Sequence, residues 1–90
     1  MTRAQVEEEK RLHDGLVANH VYPSDFSYEE HPVYGEMTCI LIEWGDWKHE
    51  HLRCDWLMRE MGYTFFGEET TEEDGSDTYS AIRRYYKEVA

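Results

Sequence analysis

Ninety residues with nine Lys and Arg against twenty Asp and Glu give a formal net charge of −11. That length allows one small domain, burying roughly 60–65% of the surface its unfolded chain exposes. The acidity argues against direct binding to a nucleic-acid backbone or an anionic membrane surface, because both reward cations; it favours solubility and a basic protein partner.

Forty per cent of the residues are apolar, with three Trp, three Phe and seven Tyr, enough aromatic mass for a folded core rather than a disordered chain. The first residues carry no apolar signal-peptide core, and no segment reaches the length of a membrane span. Cys39 lies in an apolar run and Cys54 on the inner face of a predicted helix, the pattern of buried thiols rather than of a disulfide framework. A cytoplasmic protein is the expectation.

Thr2 followed by Gln5 has the spacing of a capping box, and Glu7 can reach Arg11 one turn on, which predicts a first helix over about 3–18. Its stripe of Val6, His13 and Val17, with Leu12 and Leu16 offset, is thin, and Gly15 weakens the interior. Residues 20–35 hold Tyr22, Pro23, Phe26, Tyr28, Pro32 and Tyr34; they are expected to form an ordered connection whose aromatics fold over the core edge. Met37 to Trp44 is a β-branched-rich apolar run suited to a strand covered on both faces, 37–44.

Gly45 permits a turn and Asp46 can cap a helix over 46–61, which Gly62 ends in a left-handed position. Helical geometry places Trp47, Cys54, Leu57, Met58 and Met61 on an inner face, with His51 at its margin. A strand over 63–70, an acidic turn over 71–77 containing Asp74-Gly75, and a strand over 78–87 complete the chain. Tyr79, Ala81, Arg83 and Tyr85 alternate as a strand requires, although Tyr79, Ile82, Tyr86 and Val89 also recur at helical spacing, so a helical 78–88 is the alternative. The expected fold is a single α+β domain in the order helix-strand-helix-strand-strand, with a short mixed sheet packed on the central helix. No cofactor motif is present in the sequence.

The segment Trp44-Gly-Asp-Trp-Lys-His-Glu-His-Leu-Arg-Cys-Asp-Trp is the chemically dense one. His49 and His51 lie about 160–200° apart around a helix and cannot grip one ion together. His51 and Asp55, one turn apart, are weak metal-ligand candidates that need a third group from elsewhere. A Cys54 nucleophile beside His51 is opposed by burial and by the charges of Glu50 and Asp55. Arg83 and Arg84 point to opposite sides of a strand, so that one pairs with Glu68 or Glu69 across the hairpin while the other stays in solvent.

Leu52 and Trp56 fall about 140° and 180° from Trp47, which turns them outward beside His49. An outward Trp and Leu one turn apart form an interface anchor unless the N-terminal helix or the 22–34 connection covers them. The expected binding residues are therefore His49, Leu52, Trp56, Glu68 and Glu69. The expected function is a small acidic binding domain that self-associates or docks a basic protein. The alternatives are a metal-assisted enzyme using His51, Asp55 and acidic loop residues, and an acidic mimic that blocks a nucleic-acid-binding surface.

Overall fold

Two helices lie on one face of a four-stranded antiparallel sheet in this computed structural model, which describes residues 2–44, 50–72 and 79–87 and, within these, not the side chains of 43, 44, 50, 51, 71, 72, 79 and 80. The elements are α1 (Arg3–Val17), β1 (Pro23–His31), β2 (Gly35–Trp44), α2 (Glu50–Glu60), β3 (Tyr63–Glu72) and β4 (Tyr79–Lys87). The α+β class is as expected, but the strand content is greater.

The expected connection over 20–35 is in fact largely β1. Its residues alternate, with Phe26 and Tyr28 opposite Ile40 and Thr38 of β2. A strand hides well there, because Pro23, two Ser and three acids resemble loop composition. The aromatics do reach the core edge, through one face of a hairpin rather than as a folded-down loop: Phe26 packs on the core and Tyr28 donates to Glu9 of α1 at 3.4 Å.

The sheet order is β1-β2-β4-β3 and every neighbouring pair is antiparallel, which corrects the expected mixed sheet. The strands before and after α2 are not neighbours, because β4 inserts between them. The C-terminal segment is therefore a central strand, and β1 and β3 are the edges.

α1 begins at the predicted capping box, Thr2 Oγ1 accepting from the Gln5 N–H and Gln5 Oε1 from the Thr2 N–H. Its buried face is Leu12 and Leu16, whereas Val6 and His13 are exposed, so the helix is rotated from the expected stripe. The charge pairs shift too: Glu7 pairs with Arg3, and Arg11 with Glu8. Gly15 lies against Met61, just past the end of α2: a Cβ there would stand 2.9 Å from Met61 Sδ, at the movable end of that side chain.

The core holds Leu12, Leu16, Val21, Ile40, Ile42, Cys54, Leu57, Met58, Tyr63, Ala81 and Tyr85 between helices and sheet. Cys54, Leu57, Met58 and Met61 thus supply the inner face of α2 as expected, while Trp47, with the Gly45-Asp46 turn, lies outside the described residues. The Asp74-Gly75 turn signal does too. Gly62, at φ +96°, makes the immediate turn from α2 into β3. On the other sheet face, Met37 and Cys39 are buried, Arg84 spans from Glu29 of β1 to Glu69 of β3, and the rings of His31, Tyr34, Phe66 and Tyr86 cluster.

Candidate functional site: the groove between helix α2 and edge strand β3

The turn at Gly62 leaves α2 lying beside β3, and a groove of about 560 Å³ runs between them, lined by Leu52, Asp55, Trp56, Arg59 and Gly62 to Phe65. Leu52 and Trp56 are each 59% exposed and Phe65 is 41% exposed. Neither α1 nor β1 covers Leu52 and Trp56, since α1 crosses α2 on its other flank, near Met61. Thr64 alternates to the opposite sheet face from Tyr63 and Phe65 yet also lines the groove, so the groove reaches the edge of the strand.

Beneath this groove lies a charged network that the sequence reading missed in part. Arg83 is only 2% exposed, in the middle of β4 opposite Ile40 of β2 and Glu68 of β3. Its Nη2 donates to both Asp55 oxygens at 2.6 and 2.7 Å, its Nη1 to Glu68, and its Nε to the Tyr85 hydroxyl at 3.0 Å. The guanidinium carbon sits 4.5 Å from the Phe65 ring centroid, in cation–π contact. Tyr85 in turn donates from its hydroxyl toward Asp55 at 2.7 Å and lies 3.3 Å from Cys54 Sγ.

Burial opposes the Arg83 charge, but the hydrogen bonds it donates to Asp55 and Tyr85 and the Asp55 charge outweigh it and hold its pKa above the ordinary range. Burial, then the neighbouring Cys54, pushes the Tyr85 phenol well up despite Arg83. The network therefore stays ionic at Arg83 and neutral at Tyr85 at neutral pH, joining α2, β3 and β4.

The expected partition of the two arginines is corrected here. Arg83 takes Glu68 and also Asp55, and Arg84 does not stay free but bridges Glu29 at 3.0 Å and Glu69 at 3.2 Å. The signal available in the sequence is an arginine in the alternation of Ala81 and Tyr85: a cation at a core-facing position requires carboxylate partners within reach.

Asp55, a weak metal candidate, has both oxygens engaged by Arg83. The His51 side chain and all of His49 lie outside the described residues. Among the described residues, no group of three or more His, Cys, Asp or Glu is placed to hold a metal ion. Cys54 is fully buried against Tyr85, shielded from any substrate. No helix among the described residues is long and apolar enough to cross a membrane.

No protein-family model, curated protein or solved structure matches the chain.

Proposed function

We infer that this is a protein-binding domain which docks a basic partner through the outer face of α2 and the groove beside it. The observation that carries this reading is the pair Leu52 and Trp56, one helical turn apart, each 59% exposed, and continued across the groove by Phe65. Large aromatic side chains left in water next to a concave wall cost solubility, and burying them in a partner returns most of that cost. The rest of the surface supplies long-range attraction: with a net charge of −11, encounter with a basic protein is accelerated and self-association is opposed.

The decisive experiment replaces Trp56 with a photoreactive amino acid in the native host and identifies what it cross-links, with a Leu52→Ser control. Docking predicts one dominant adduct that the control abolishes and that high salt diminishes. Light scattering over a concentration series, on wild type and Trp56→Ser, runs beside it. A wild-type dimer that becomes a folded monomer on substitution would replace the basic partner with a second copy. Unfolding of the Trp56→Ser monomer would return Trp56 to the core and end the reading.

A further inference from the structure

We propose that the groove receives an extended segment of the partner as a fifth strand, added to the outer edge of β3. This rests on the docking reading and specifies its geometry. Three observations converge on it. Strand β3 is the outer strand of the sheet beyond β4, and among the described residues no strand pairs with its other side. The groove follows that edge, since Gly62, Tyr63, Thr64 and Phe65 form one wall in sequence while Leu52, Trp56 and Arg59 of α2 form the other. A helix beside a sheet edge is a geometry in which main-chain hydrogen bonds supply affinity and alternate side chains drop into the groove for selectivity.

The chemistry of the occupant follows from how β3 is divided. A register irregularity falls between Phe65 and Gly67. Before it stand the aromatics Tyr63 and Phe65 with Thr64 between them; after it come Glu68 and Glu69. Arg83 answers Asp55 and Glu68, and Arg84 answers Glu29 and Glu69, so two guanidinium groups face four carboxylates and the surface keeps an excess of negative charge.

A second copy of this chain is the wrong occupant, because two chains of net charge −11 repel and neither edge strand, β1 or β3, carries a Lys or Arg to set against Glu68 and Glu69. The complementary segment alternates bulky apolar residues, seated against Trp56, Leu52 and Phe65, and carries Lys or Arg beyond the irregularity, opposite Glu68 and Glu69.

The test selects a displayed library of short random peptides on the full chain and measures the enriched peptides against wild type, against Trp56→Ser, and after N-methylation of alternate peptide amides in each register. Strand addition predicts apolar residues alternating with polar ones and followed by Lys or Arg. It also predicts binding at least about tenfold weaker with Trp56→Ser and at least about tenfold weaker for one N-methyl register, with slowed amide exchange over Tyr63–Phe65. Binding that depends on Trp56 but survives N-methylation in both registers would overturn strand addition and leave docking standing. Enriched peptides indifferent to Trp56, or no enrichment, would overturn strand addition outright, and the cross-linking experiment would then judge the docking surface separately.

Discussion

Replacing Arg83 with Met removes the guanidinium that joins α2, β3 and β4 while keeping an unbranched stem of similar course. The wild-type group donates to Asp55, Glu68 and Tyr85 and covers the Phe65 ring. Breaking a buried ion pair from one side costs about 3–5 kcal/mol, because the stranded charge has no partner. Here the stranded groups keep some water, the Asp55 and Glu68 side chains being 29% and 26% exposed, so the lower end, about 3 kcal/mol, is expected. A domain of ninety residues has about 5–13 kcal/mol in total. The variant therefore folds, but its Tm falls by roughly 12–24 °C. Urea denaturation followed by circular dichroism gives the free energy, with an unchanged slope showing that the same surface is exposed. The triple variant Asp55→Asn, Glu68→Gln, Arg83→Met carries no stranded charge and is expected to recover at least half of the loss. A single variant within about 1 kcal/mol of wild type would refute the reasoning, as would a triple variant no more stable than the single one, since the stem's packing would then account for the whole effect.

High pH is expected to unfold the chain steeply. Burial raises the phenol pKa of Tyr85 and of Tyr63, and burial with the Glu9 charge pushes Tyr28 up to about 12; below pH 10.0, the ordinary value, both folded and unfolded states hold these protons. Above it the unfolded state releases them first, so each tyrosine removes about 1.4 kcal/mol per pH unit until its folded pKa is passed; a flat urea midpoint between pH 9 and 11.5 would contradict this, and Tyr28→Phe should reduce the slope. Gly62→Ala is expected to cost about 1–2 kcal/mol, because φ is +96° there and open space around the position offers no compensating contact; unchanged thermal stability would contradict it. His20 also holds a positive φ, 64°, just after α1, so His20→Gly should be neutral to stabilising by about 1 kcal/mol, and a clear loss of stability would show that its 3.4 Å contact with Tyr22 matters more than the backbone. Trp56→Ser, at an exposed site, should leave the free energy from urea denaturation unchanged within about 0.5 kcal/mol.

How much of this was legible depended on whether a signal was local. The capping box at Thr2 and Gln5, the inner face of α2 and the turn at Gly62 are all written within a few residues, and each is found in the structure. β1 was not legible, because its stability comes from pairing with β2 across a turn, and its own residues, rich in Ser, Asp and Glu, have the composition of a loop. The antiparallel order with β4 inside depends on pairings between residues far apart in sequence, which periodicity does not encode. Leu52 and Trp56 could be placed outward from helical angles alone; Phe65 could not be joined to them, because the groove exists only once α2 turns back along β3.

The buried network and the exposed groove are one construction. Asp55 lines the groove and is also the residue through which α2 is tied to Arg83. Phe65 lines the groove while its ring covers the same guanidinium, and Glu68 ties β3 to that group as well. The two walls are therefore held at a fixed separation by a group that lies in neither of them. Hydrophobic residues of equal volume could stabilise the interior as well or better, so stability alone does not explain why an arginine stands there. A guanidinium with carboxylates from two elements in set directions fixes how α2 sits against β3, and a fixed groove loses less conformational entropy when an extended chain enters it. It follows that the charge-free triple variant, although restored in stability, should bind the selected peptides several-fold more weakly than wild type; equal affinity, measured by titration calorimetry at matched fractions folded, would reduce the network to a stabilising device with no part in preparing the groove.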